Sequence, residues 1–446
     1  MLALVVRVGW VLSLGDALSW PDEFEFTDIA HHLAAGEGYV ADSFRSNPVL
    51  PAYLAVMFRL FGESYAVARL GQALLGALTA VLVGRMAMLL AGPAVGLTSA
   101  VLVALYLPHV YLAGVFYVDS VLMFVLALAT YLAAWTLKRH ASLWQALVCG
   151  GAVGLTALTR PLFLLLLPVV ALAWLYGSRA RWSRRIVLCC ALVTGSAAVV
   201  LPWTARNARV FGRVIPVSSG FGTKFWQGNT VLANGGPFDR ELMVGSADWE
   251  RRLARLPAAE RRVVEARYAV IGRQLQESEA ELHDRYLASD EVLLGVALDE
   301  IRADPGRALR LALRKMATLF SPFSGTYTHN AYTSRRLRLL AASTFYPMLI
   351  LAAVGAWLAW PRRRQFALVY LLVAGVVAAY TVLNACTRFR LPIDPYLLVF
   401  AAVALVAAGR RLQAARRHAP RAEASGAAFR RRPSPPCFPP RVADAR

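Results

Sequence analysis

The sequence predicts an all-α polytopic membrane protein with ten or eleven transmembrane helices, and three observations carry that reading. Of 446 residues 58% are hydrophobic and only 17% charged, where a soluble domain carries about 25% charged residues. The mean hydropathy is +0.49, and apolar runs near the span length recur along the chain. The excess of basic residues, a net charge of +21, gathers in short connections and a tail. A nucleic-acid role would need a soluble basic surface, and none is available here.

The apolar stretches lie near residues 1–15, 65–90, 94–112, 115–136, 142–159, 161–177, 186–203, 339–360, 366–384 and 391–409, each bounded by Pro, Gly or charge. A hydrocarbon core of about 30 Å asks for about 20 such residues. The first stretch is short and carries Arg7; a signal peptide is the weaker reading, since no basic cluster opens it and no small-residue cleavage site precedes Asp22. Five cysteines (Cys149, Cys189, Cys190, Cys386, Cys437) show no metal or disulfide spacing and read as packing residues.

Basic residues flanking short loops set the orientation. Arg85, Lys138, Arg139, Arg179 to Arg185, Arg362 to Arg364 and ten arginines from Arg410 onward fall on one face of this threading, which is therefore expected to be cytoplasmic. The chain then divides into an N-terminal transmembrane module (1–203) with a large first outer loop (16–64), an exoplasmic helical segment (204–338), C-terminal transmembrane helices (339–409) and a basic disordered tail (410–446). Outer loops longer than about 60 residues translocate whatever their charge, so the basic residues of 204–338 do not oppose the threading.

The carboxylates point to the outer face. Of 27 Asp and Glu, eight lie in 16–64, fifteen in 204–338 and two in the tail, leaving Asp119 and Asp394, each at the outer end of a membrane helix. An ionisable group at membrane depth marks a functional site by default. Within 16–64, Phe26, Ile29, Ala30 and Leu33 recur at helical spacing up to Gly36, predicting an interfacial helix; a second runs from Asn47-Pro48-Val49-Leu50-Pro51 to Phe61.

An ordered set of short motifs accompanies this topology. It comprises Asp22-Glu23 after the first span, Gly36-Glu37-Gly38-Tyr39, the Pro48 to Pro51 helix start, Ala68-Arg69-Leu70 and Tyr117-Val118-Asp119-Ser120. Further along come Leu158-Thr159-Arg160-Pro161, Leu201-Pro202-Trp203, Trp226-Gln227-Gly228-Asn229 and Arg388-Phe389-Arg390-Leu391-Pro392. In this order the chain resembles the polytopic glycosyltransferases of the C-type superfamily, family 39 and its relatives, which include protein O-mannosyltransferases and the bacterial lipid A aminoarabinose transferases. The resemblance implies a sugar donor joined to polyprenyl phosphate, an exoplasmic acceptor, a bacterial inner-membrane location and transfer with inversion.

Transfer from a phosphate-linked donor needs a base for the acceptor hydroxyl and charge stabilisation for the departing phosphate. Asp22 is the expected base, with Glu23 orienting its neighbours or binding acceptor; a helix N-cap is the plainer role for Asp22. Asp119 is the third expected catalytic residue. Arg388 and Arg390, at an outer boundary, suit a bidentate fork on phosphate, with Arg160 beside them; snorkelling to headgroups is their plainer reading. Arg45, Lys224, Trp226 and Asn229 are expected to contact sugar or acceptor, although interfacial aromatic girdles explain many such tryptophans. No cofactor is expected, and no metal: there is no Asp-x-Asp pair, and the adjacent His31 and His32 point about 100° apart on a helix. A transporter or lipid flippase is the alternative, disfavoured because no inverted repeat is visible and the intramembrane acids lie at helix ends.

Overall fold

The computed structural model describes residues 1–39, 47–138, 142–178, 180–235, 247–276, 282–322 and 335–418. The chain opens with α1 (Leu2–Leu12), α2 (Pro21–Ala35) and α3 (Val49–Phe61), followed by α4 (Tyr65–Ala91), α5 (Pro93–Leu105) and α6 (Leu107–Leu112). Next come α7 (Val118–Lys138), α8 (Leu143–Thr159), a 3-10 turn at Pro161–Leu165, α9 (Leu166–Gly177) and α10 (Trp182–Phe211). The middle segment holds α11 (Phe221–Asn229), α12 (Ala247–Leu253), α13 (Ala258–Gln276), α14 (Leu282–Ala303) and α15 (Pro305–Leu319). The chain then runs through α16 (Arg335–Ala359), α17 (Ala367–Val382), the short α18 (Thr387–Arg390) and α19 (Asp394–His418). No strand occurs among the described residues.

All ten apolar stretches fall in helices, as an all-α polytopic membrane protein requires, but only five described helices are long and apolar enough to span alone. The stretch 94–112 is broken. Tyr106 turns to extended backbone between α5 and α6, because Pro108 in the first turn of α6 has no amide to continue the hydrogen-bond ladder. Conversely, α10 continues past the expected end at residue 203 to Phe211, taking Pro202 into its interior.

Small residues bring the spans together. A Cβ at Gly150 would stand 2.1 Å from the Leu192 carbonyl oxygen, one at Gly195 2.1 Å from that of Leu147, and one at Gly355 1.7 Å from that of Phe400. Backbones this close let α8 meet α10, and α16 meet α19, through dispersion contacts rather than through a hydrophobic drive that lipid cannot supply. Buried Ala, Val and Leu from α4, α7, α8, α9, α17 and α19 form one continuous core.

Helices α11 to α14 enclose a second, smaller core of Phe225, Trp226, Trp249, Tyr268, Leu293 and Val296. It is joined to the bundle by the sequence Trp226 to Asn229. Gly228 lies so close to the chain beyond α17 that a Cβ would be 1.8 Å from the Leu383 carbonyl oxygen. The Asn229 amide donates to the Val382 carbonyl at 2.9 Å, and Lys315 of α15 donates to Asn229 Oδ1 at 2.9 Å and to the Val382 and Leu383 carbonyls.

The start of α2 is fixed by Glu23. Pro21 opens the helix, and the Glu23 carboxylate turns back to accept the amides of Ser19 and Trp20 at 2.9 and 3.0 Å. Its other oxygen accepts the Phe116 amide at 2.9 Å and meets Arg69 at 3.5 Å. Arg69 in turn donates to the Gly15 and Ala17 carbonyls and lies over the Phe116 ring. One buried ion pair thus ties the α1–α2 link, α4 and the α6–α7 link together. At the far end Gly36, at φ 86°, closes α2 in the left-handed conformation. Removing one partner of a buried pair costs about 3–5 kcal/mol. Glu23→Gln is therefore expected to lower the thermal unfolding temperature in detergent or nanodiscs well below that of Asp22→Asn; equal temperatures would remove this tie.

Candidate active site

Four of the residues singled out from the sequence meet at one end of the bundle. Asp119 stands in the first turn of α7, wholly buried. Its Oδ2 accepts from Arg388 Nε at 2.6 Å, and its Oδ1 lies 2.9 Å from an Arg160 terminal nitrogen. Arg388 reaches a second carboxylate: one of its terminal nitrogens lies 3.3 Å from Asp22 Oδ2. The order is therefore Arg160, Asp119, Arg388, Asp22, alternating in charge. Asp22 is the carboxylate of this cluster with access to the outside, its side chain 18% exposed against 0% for Asp119.

Local sequence places each group. Tyr117, which precedes α7, presents its ring 3.7 Å from the Arg388 guanidinium carbon, so this motif supplies both the carboxylate and the aromatic face that hold the arginine. Ser120, the next motif residue, donates to the Leu112 carbonyl and closes the turn from α6. Arg160 sits at the end of α8 in extended backbone, as expected before a proline, and is directed back onto Asp119 and Tyr380. The Arg160 guanidinium also lies over Phe389, which stacks on Tyr380.

Arg390 departs from the expectation of a shared phosphate fork. Two positions along a helix turn a side chain through about 200°, so in α18 Arg390 faces away from Arg388. It pairs with Asp394 at 2.9 Å, donates to the Leu319 carbonyl and covers the Phe345 ring. Asp394 also accepts from the Tyr106 hydroxyl at 2.9 Å. These groups join α15, α16, α18, α19 and the break after α5.

Glu23 is likewise absorbed by structure. Its carboxylate is fully buried and occupied by three amides and Arg69, contacts that match the orienting half of the expectation. Trp226 and Asn229 do not line an open sugar site either. The Trp226 indole donates to the Tyr268 hydroxyl inside the smaller core, and Asn229 is spent on the joint to α17. Lys224 is exposed on α11, and Arg45 lies outside the described residues. Arg69, for which the sequence suggests no role, is the structural partner of Glu23; a single arginine at the head of a long apolar helix is the available signal. Among the described residues no group of His, Cys, Asp and Glu has metal-binding geometry.

The arrangement offers two guanidinium groups for an anion and one accessible carboxylate for a proton, at the start of one membrane helix and the end of another. Residues 45–205 match the model of the family described as dolichyl-phosphate-mannose-protein mannosyltransferase. That stretch contains Asp119 and Arg160. No curated protein matches the chain. Among solved structures, ArnT from Cupriavidus metallidurans bound to undecaprenyl phosphate aligns at 20% identity and TM-score 0.44, over 91% of this chain and 77% of that one. The apo form of the same protein aligns at 20% identity and TM-score 0.36 with the same coverage. The family match covers residues 45–205, and the ordered motifs that run beyond it resemble those of the polytopic membrane glycosyltransferases of the C-type superfamily.

Proposed function

We propose that the chain is a glycosyltransferase that moves a sugar from a polyprenyl-phosphate donor to an acceptor hydroxyl of the cell envelope, at the exoplasmic face of a bacterial inner membrane, with Asp22 as general base. The observation that carries this reading is the shared guanidinium: Arg388 is held firmly by buried Asp119 at 2.6 Å and more loosely by Asp22 at 3.3 Å. The family description supplies the donor class, a sugar on a polyprenyl-type lipid phosphate.

The chemistry follows from that asymmetry. The donor's phosphodiester, a monoanion, competes near Arg388 and Arg160 with Asp22 for the Arg388 terminal nitrogens, in the bidentate geometry that guanidinium favours. Asp119 keeps both arginines in place while this happens. The displaced Asp22 carboxylate then accepts the proton of the acceptor hydroxyl as its oxygen attacks the anomeric carbon. The bond from that carbon to the phosphate oxygen breaks, and the polyprenyl phosphate leaves as an anion stabilised by the two arginines. Attack on the face opposite the leaving phosphate gives inversion. A transporter would place its polar site near the bilayer midplane, whereas Asp119 and Arg160 stand at helix termini.

Purified protein supplied with radiolabelled polyprenyl-phosphate sugars and membrane extract is expected to label an envelope acceptor. Asp22→Asn should cut the rate by about 10²- to 10⁴-fold, the usual contribution of a general base, with unfolding temperature retained. Transfer at the wild-type rate would remove Asp22 from that role. Sidedness has its own test. A cysteine introduced as Glu250→Cys, on α12, is expected to react with a membrane-impermeant maleimide from outside the cell, and reaction only after the inner face is opened would reverse the threading.

A further inference from the structure

Close to the cluster, α1, α4, α6 and α7 line a small cavity bordered by Arg7, Gln72, Gly76, Thr79, His109 and Ser120 together with Ala113 and Met123. It has room for about one water molecule. Its walls are built for a polar occupant, since Arg7, Gln72 and His109 are 1%, 0% and 3% exposed. Gly76 makes space for the guanidinium: a Cβ there would lie 2.6 Å from Arg7 Nε.

Much of the polar lining is already satisfied. Arg7 donates to the Ala3, Ala104 and Val103 carbonyls at 3.0, 2.9 and 3.3 Å, which solvate the buried guanidinium. Thr79 donates to the Leu75 carbonyl and Ser120 to that of Leu112. The atoms left without a protein partner are Arg7 Nε, both polar atoms of the Gln72 amide and His109 Nδ1. In the interior of a membrane bundle, where lipid offers no hydrogen bonds, such atoms are costly to leave unmade.

Their donor and acceptor character identifies the occupant. Arg7 Nε can only donate. His109 Nε2 lies 3.1 Å from the Leu391 carbonyl, which can only accept, so this nitrogen carries the ring proton and Nδ1 is an acceptor. The Gln72 amide offers either character. A water molecule meets all three, whereas a halide would face the lone pair of His109 Nδ1. We propose that this cavity is a buried water site: one ordered water accepts from Arg7 Nε, donates to His109 Nδ1 and bonds the Gln72 amide. It cross-links α1, α4 and α6, so that the first membrane helix is held to the broken helix pair α5–α6.

The test uses the whole protein in lipid nanodiscs. A cryo-EM reconstruction that resolves ordered water is expected to show a peak within hydrogen-bond distance of Arg7 Nε, His109 Nδ1 and the Gln72 amide. Absence of the peak overturns the proposal, as does a peak that grows when chloride is replaced by bromide. Gln72→Met, which fills similar volume without a polar end, is expected to lower the unfolding temperature by a few degrees. The wild-type temperature should be the same in sodium chloride and sodium gluconate. An unchanged temperature for the variant, or a halide-dependent one for the wild type, counts against water.

Discussion

The arrangement of the site depends on one buried carboxylate. Asp119 has no access to solvent and holds two arginines that come from distant parts of the chain, one at the end of α8 and one in α18. A charge at that depth persists only when it is paired, and Asp119 is paired twice. The cost of burying it is met by fixing three elements against one another, and the fixed geometry leaves Arg388 with a side open towards Asp22. Positive charge is thereby held beside a carboxylate that remains reachable.

Other polar ties serve the same end of the bundle without taking part in it. Glu23 and Arg69 set the start of α2, and hence the place of Asp22, by occupying the amides and carbonyls of two connecting segments. Arg390 and Asp394 set the α18–α19 corner, and hence the place of Arg388. The joint formed by Gly228, Asn229 and Lys315 attaches the smaller core to the chain that leads into α18. Each tie buries its charged or amide groups against protein partners, which is why these residues are poor candidates for substrate contact although their sequence neighbourhoods match those of the site.

Much of this was legible in the sequence because membranes make charge conspicuous. Ten apolar stretches forecast the helices, and two isolated acids among them pointed to Asp119 and Asp394. What composition could not divide was function from support. Asp22 and Glu23 are adjacent, as Arg388 and Arg390 nearly are, and only helix geometry sends one member of each pair to the cluster and the other into structure. Trp226 and Asn229 were ambiguous for a related reason, since an aromatic followed by Gly and Asn describes both a binding loop and a close-packed joint. The break at Tyr106 went unread because Pro108 lies within an otherwise unbroken apolar run.

Whether Asp119 holds the arginines while the donor phosphate releases Asp22 is decided by a structure of the protein with polyprenyl phosphate bound. Phosphate oxygens are expected on Arg388 and Arg160, with the Asp119 contacts to both arginines preserved and Asp22 parted from Arg388. A phosphate bound away from these arginines, with the Asp22–Arg388 contact intact, would contradict it.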